Sequence, residues 1–573
     1  MSMENLGPYT NFHELNQDWF LNEFNKLVEQ WKAMQKNFDN LQDAFNDLKS
    51  YVQDYFKNLD VQDEINNKLN DMFNKGLLDK YFVYTINVKL YGVKENVDCS
   101  EQLQALINSV PSNTSLIFPQ GNYIFGNIDI TKNITLDFNN SIVTINKNYG
   151  ISINGSTTPF SIGSLVRNGK LTGHNGELVN IINKQTLFNS SRDYYYLGGL
   201  FLIENDNFIP SLPFDIDGYG TEAYSITPVT CEIKNISNLT IINGDYFVKA
   251  NYCRDLYFHD IKINTNCISC FQLTRCYNSI LERITGTVHT GRNVDYQYAI
   301  SANSCTLTIV NECDLLSKWH SFSGGGQECC MYNIIKNSSL ISEGDNEGID
   351  FHENCIYNHI ENCLSTGIHI CNDTRVENCD LSGRIYIDCA DMQYKYLCNI
   401  YIDNCNDRTV TFRNVSKFIN NLYIKNAVVI YNSITSIDNA VFDGCECNFN
   451  NGKAKINVCK ILNTNKTTNL TNCSTVIIEN CDITLNTISD KVIGYNSILS
   501  FVKSVNGIFT NCKLNNAIEN SNIKVNNCEV KISTTQIRTI TITGFSGDVI
   551  YANKNNKNYA GTFNGTEFTF TEI

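Results

Sequence analysis

Proline is scarce in this chain, 7 residues in 573, and no Pro/Gly/Ser-rich stretch interrupts its middle. That excludes a string of small domains on linkers. Charge is also low, with 18% of residues Asp, Glu, Lys or Arg beside 30 Tyr and 31 Phe, a balance that excludes a disordered chain. No basic run or stripe relieves the net charge of −15, so nucleic acid is not an expected partner. No apolar run approaches the about twenty residues of a membrane helix. The opening MSMENLGPYTNFHELN has neither the basic nor the apolar region of a secretion signal, so neither a membrane span nor a cleaved signal is expected. A chain this long cannot be one simple core. One elongated, repetitive body is the reading that needs no linkers.

Cysteine, by contrast, is abundant, at 24 residues. Disulfide scaffolds belong to short secreted chains, and no C-x-x-C pairs recur with zinc-type partners. Many of the cysteines follow asparagine instead, as in Asn354-Cys355, Asn362-Cys363, Asn378-Cys379, Asn404-Cys405, Asn472-Cys473 and Asn480-Cys481. Buried thiols filling a core are the expectation.

From Phe20 the apolar residues fall at alternating steps of four and three: Phe20, Phe24, Leu27, Trp31, Met34, Phe38, Leu41, Phe45, Leu48, Val52, Tyr55, Leu59. This is an unbroken heptad seam between polar residues, and a lone helix would leave it exposed. With Phe20 and Leu27 at position d, the a positions hold Phe24, Trp31, Phe38 and Phe45, which fit poorly in a two-stranded seam, so a parallel trimeric coiled coil is expected. A second helical stretch ends at Gly76, which is suited to a C-cap.

Beyond Gly76 the texture turns Asn-rich and β-branched. A repeat of cysteine followed by alternating apolar residues starts at Cys253, Cys276, Cys305, Cys330 and Cys355, with spacings of 23, 29, 25 and 25. It resumes around Cys398, Cys481 and Cys528. A period near 25 with short strands and no long helix inside it predicts the coils of a β-solenoid. Asparagine suits the corners between faces because it tolerates left-handed backbone, and stacked asparagines are expected to bond from coil to coil.

The run from Val88 to Phe138, VKLYGVKENVDCSEQLQALINSV followed by SLIFPQGNYIFGNIDITKNITLDF, resembles the opening of the pectate-lyase-like β-helices of phage tailspikes and appendages. Its elements are a YG turn, a capping helix and a P-x-G-x-Y strand, here Pro119, Gly121 and Tyr123. The chain departs from that pattern in keeping only Asp98 of the acidic string after the turn. The likeness continues through the hairpin-like stretch from Tyr194 to Pro213. It implies a mainly β chain: an N-terminal coiled coil for virion attachment and trimerisation (1–80), a right-handed parallel β-helix (81–530) and a small C-terminal β cap (531–573). The function implied is that of a virion tail appendage, assembled in the host cytoplasm as a homotrimer. It would join phage tail or neck proteins through its N-terminal region and bind host surface polysaccharide or teichoic acid.

Chemistry concentrates between residues 289 and 353. The chain has 8 histidines, and counted from the cysteine repeat His289, His320 and Asp345 fall at nearly equal offsets, which predicts a column on one face with about 4.8 Å between coils. The following turn carries Glu343, Asp345, Glu347, Asp350, His352 and Glu353, with Gly324, Gly325, Gly326, Gly344 and Gly348 beside it. Three readings stay open. In the first, His289, His320, Asp350 and His352 hold a divalent ion that activates water against a phosphodiester, with Arg292 and Lys318 helping to bind the polyanion. In the second, a glycosidase or lyase draws its acid and base from Asp345, Glu347, Asp350 and Glu353, with His320 and His352 beside them. In the third, these are solvated turn residues of a receptor-binding fibre. Trp319 is the leading candidate to stack on a sugar, ahead of Tyr194, Tyr195 and Tyr196. A fragmentary calcium-loop pattern, Asp215-Ile216-Asp217-Gly218, lacks its later carboxylates. For His13, His174 and His259 the sequence names no partner. A free bacterial polysaccharide-degrading enzyme is the alternative to a virion protein.

Overall fold

The computed structural model describes residues 84–533 apart from 163–165, 168, 188–194, 214–220, 289–296, 345, 390–397 and short segments of one to five residues between 406 and 521. Beyond 533 it describes the strands from Thr541 to Glu572. The expected coiled coil over 1–80, His13, the Asp215 pattern, His289, Arg292 and Asp345 lie outside the described residues.

Val88 to Phe138 folds as its resemblance implied. The helix α1, Ser100–Ser109, buries Leu103, Leu106 and Ile107. The Gln104 side chain ties it to the first coil, accepting from Asp129 N at 2.7 Å and donating to Asp129 O at 3.0 Å. Asp98 Oδ1 accepts from the Ser100 amide at 3.0 Å at the start of the helix. In the P-x-G-x-Y strand the Tyr123 hydroxyl donates to Pro119 O at 2.6 Å.

From there the chain runs as parallel strands, each paired with the strand one coil earlier. Three faces are clear in the middle coils. One stacks Thr306–Asn311 on Ile334–Lys336 and Asn358–Glu361. A second stacks Asp314–Ser317, Ser339–Ser342 and Leu364–Ser365. Alternate residues point inward, so Ile335, Ile360, Leu340 and Phe351 are fully buried; each such side chain contributes about 1.5–3 kcal/mol of burial. Every described cysteine is buried and none forms a disulfide. The thiols sit just past the corners, as at Cys363 and Cys379, where Sγ donates to a backbone carbonyl two residues back.

The corners are asparagines in left-handed backbone, with φ of 53° at Asn362, 52° at Asn378, 54° at Asn480 and 55° at Asn511. Their side chains bond along the solenoid: Asn362 to Asn337, 25 residues back; Asn480 to Asn463, 17 back; Asn511 to Asn496, 15 back. The coil therefore shrinks from about 25 residues in the middle to 15–17 near the end, which a single period does not anticipate.

Two features depart from a plain solenoid. Residues 156–227 supply all seven described strands of an antiparallel side sheet, in which Leu178–Leu187 lies between Thr221–Thr227 and the strand β1, Tyr196–Glu204. At the other end the parallel ladder runs past 530, since Glu529–Ser533 pairs in parallel with Val549–Lys554. Only then do Lys557–Phe563 and Phe568–Glu572 turn antiparallel.

Candidate active site

The third face carries the site. Its strands β2 (Tyr298–Asn303), β3 (His320–Gly325), β4 (Ile349–Phe351), β5 (Ile368–Ile370) and β6 (Ile385–Cys389) stack in register, giving the column Ser301, Ser323, Asp350, His369, Tyr386. Asp350 is its hub and is 6% exposed. His352 Nε2 lies 3.0 Å from Asp350 Oδ2, and His320 Nε2 lies 3.5 Å from the same oxygen. His369 Nδ1 lies 2.6 Å from Asp350 Oδ1, and its other nitrogen lies 3.0 Å from Asp388 Oδ2. Burial alone would push the Asp350 carboxyl up, but the His352 and His320 imidazoles and the hydrogen bonds from His352 and His369 hold it well below the usual carboxylate range. Burial would likewise push His369 down, yet Cys371, Asp350 and Asp388 around it hold it well above the usual histidine range.

The side sheet completes the arrangement. Tyr195, just ahead of β1 and 1% exposed, brings its hydroxyl to 3.1 Å from His352 Nδ1. With Asp350 ionised and His352 neutral, Nε2–H donates to the carboxylate and Nδ1 accepts from the phenol. The result is a Tyr195–His352–Asp350 line, in which a buried carboxylate fixes the tautomer of a histidine whose other nitrogen faces a hydroxyl. Gly325 makes room for it, because a Cβ there would meet the His352 ring at 3.2–3.3 Å.

Tyr195 and His352 open onto a groove of about 580 Å³, lined also by Tyr298, Ser301, Asn303, Ser323, Gly325, Gly326 and Gln327. The described walls are hydroxyls, amides and aromatic rings, the chemistry that suits a sugar chain. No carboxylate and no Lys or Arg is among them.

The residues singled out by sequence divide accordingly. His320, Asp350 and His352 come together. Glu347 contributes its backbone carbonyl, 2.6 Å from His320 Nδ1, and Glu353 is buried away from the groove. Trp319 packs edge-on against His320 at 5.6 Å; neither it nor Lys318 lines the groove. The expected His289–His320–Asp345 column has two members outside the described residues, and the ladder gives the third another neighbour, Tyr298. The phase slips because Ser317 pairs with Ser342, 25 residues on, while Phe322 pairs with Ile349, 27 on. Of the expected divalent-ion set, His289 lies outside the described residues, while His320 and His352 both direct their Nε2 atoms at one oxygen of Asp350. Among the described residues no group of three or more His, Cys, Asp or Glu is arranged to hold a metal. His174 and His259 do have partners, Glu177 for the first and Glu232 and Asp260 for the second. Sequence reasoning missed His369 and Asp388, which sit outside the acidic turn, and it valued Tyr195 for stacking only.

No protein-family model matches the chain, and no curated protein does. Among solved structures it is similar to the tailspike protein gp49 of Pseudomonas phage LKA1, with 15% identity over 80% of this chain and 78% of that one and a TM-score of 0.44. It is also similar to the gp54 tailspike of Acinetobacter baumannii phage AP22, solved with A. baumannii capsular saccharide: 13% identity, 83% and 80% covered, TM-score 0.44. A third is an exopolygalacturonase of Thermotoga maritima, with 12% identity, 86% and 94% covered and a TM-score of 0.26.

Proposed function

We propose that this chain is a phage tailspike-type appendage that binds a host surface polysaccharide and cleaves it by β-elimination in the groove beside Tyr195 and His352. One observation carries the reaction class. The described groove presents a hydroxyl–imidazole pair backed by a buried carboxylate, and no second carboxylate of the kind a glycoside hydrolase places across the scissile bond. Elimination needs no such pair. Tyr195 passes its proton to His352 Nδ1, the imidazolium is stabilised by Asp350, and the phenolate takes the proton from the carbon next to the sugar's carboxylate. The adjacent C–O bond breaks as the double bond forms, and the proton returns to the leaving oxygen. Asn303 and Gln327 supply amide donors for the charge that builds on the carboxylate. Described groove walls without lysine or arginine, on a chain of net charge −15, favour a uronate-bearing glycan over the denser charge of a teichoic acid.

In this reading residues 1–80 form the trimeric attachment stalk, and the right-handed β-helix begins near 81 and runs past the expected boundary at 530 to Val549–Lys554, with the antiparallel strands Lys557–Phe563 and Phe568–Glu572 as its terminal cap. The experiment is incubation with purified capsular polysaccharides in heavy-oxygen water. Chain shortening with ultraviolet absorbance from a new carbon–carbon double bond, and no label in the product, is expected. Label in the new ends makes the protein a hydrolase, and tight binding without shortening makes it an adhesin. A monomer by light scattering overturns the trimeric stalk.

A further inference from the structure

Asp350 has two carboxylate oxygens, and the structure uses them on opposite sides. Oδ2 serves the groove through His352, while Oδ1 faces along the solenoid to His369, which in turn reaches Asp388. Neither His369 nor Asp388 lines the groove, and they are 8% and 3% exposed. We propose that His369 and Asp388 are positioning residues that fix the Asp350 carboxylate behind His352 and so set the proton transfer in the groove from two coils away. The inference rests on the reading of Tyr195 and His352 as the reacting pair.

The geometry states the charge as well as the direction. An ionised carboxylate accepts hydrogen bonds and cannot donate them. Both ring nitrogens of His369 face carboxylate oxygens, at 2.6 and 3.0 Å. Both must therefore donate, which makes His369 an imidazolium between two carboxylates, in agreement with the direction of its titration. Among the described residues, titratable groups against this chain include His320 and His352 on the groove side of Asp350 and Cys355 and Cys371 on the core side. Tyr386 stands level with His369 on the next coil. A buried ion of this kind is costly unless its partners hold it, and here the partners are also the site.

Asp388→Asn keeps the shape and an acceptor oxygen while removing the charge. The clamp predicts that kcat falls on the order of tenfold with KM and polymer binding unchanged, and that the pH profile of kcat shifts. Wild-type kcat and an unshifted profile in this variant would overturn it. A second readout needs no activity: carbethoxylation of His352, followed by peptide mass mapping across pH, should shift its pH dependence in Asp388→Asn, and an unchanged dependence counts against the clamp. If the variant does not fold, the ¹⁵N imidazole spectrum of the wild-type full chain decides. The ring signals assigned to His369 by their loss in His369→Gln should remain doubly protonated above the usual histidine value, and a neutral His369 ring there overturns the proposal. A wild-type protein that cleaves nothing defeats the elimination reading alone, because these last two measurements still judge the clamp.

Discussion

The Tyr195 hydroxyl and His352 Nδ1 lie 3.1 Å apart although 157 residues separate them. The side sheet closes that distance. Tyr196 N donates to Gln327 O at 2.8 Å and Cys329 N to Gly198 O at 3.2 Å, so the start of β1 is bonded to the solenoid on both sides of the turn below the groove. Gly199 sits against the Met331 side chain, where a Cβ would collide with it. The site is thus assembled from an insertion and a coil that are hydrogen-bonded to each other, an arrangement that favours precise placement of reacting groups.

Removing the phenol oxygen tests that placement directly. Tyr195→Phe should lower the cleavage rate by about 10²–10⁴-fold, the usual worth of a general acid–base group, while polymer affinity changes little. Parallel measurement of chain length and of binding by calorimetry checks it; equal losses in both would mean that Tyr195 only holds substrate.

Gly325→Ala should act on the same pair without touching the reacting atoms. The added methyl meets the His352 ring at 3.2–3.3 Å, so the ring must shift by a few tenths of an ångström. A displacement of about 1 Å can cost on the order of 10²-fold, and a loss of around tenfold is expected here, with an unchanged melting temperature.

Stability should respond to pH in two windows. The folded carboxyl of Asp350 lies well below its ordinary value, and those of Asp98 and Glu377 are held down to about 2. Groups depressed in this way stabilise the fold above their unfolded values, and that contribution fades as pH falls through about 4 toward 2. His369 is shifted upward, so its contribution is complete below the usual histidine value and disappears as pH rises through the higher folded one. Melting temperature against pH should therefore fall on both flanks. Asp350→Asn should cost about 3 kcal/mol near neutrality and flatten the acid limb; an unaltered limb would assign that limb to other carboxylates.

The corner ladder makes a stability prediction of its own. Asn511 has φ of 55°, donates to Asn496 Oδ1 at 3.2 Å and accepts from Asn527 at 2.9 Å. Asn511→Ala should lose about 1–3 kcal/mol, from left-handed backbone and two side-chain bonds. Asn511→Gly keeps the backbone freedom and should lose less. Urea unfolding of both variants separates the two contributions, and equal losses would place the whole effect in the side-chain bonds.

The solenoid was readable because its signals are local. The Cys and Ile positions alternate with outward polar residues over a few amino acids, and the asparagines at the corners announce left-handed turns. The P-x-G-x-Y strand closes on itself through Tyr123 and Pro119. The site was half readable. His320, Asp350 and His352 stand close in sequence and meet in space, whereas His369 and Asp388 each lie 19 residues further along the ladder, and nothing in their local sequence marks them.

What the sequence by itself determined was the repeat, the inward pattern and the corner chemistry, because each is a property of one coil and recurs in the next. Tertiary structure decided the phase between coils and the partners of each reactive group. Two extra residues between Ser342 and Ile349 moved Asp350 level with Ser323, and the side sheet returned Tyr195 across the solenoid to His352. Both depend on how distant segments pack, and no periodicity within a single coil carries that information.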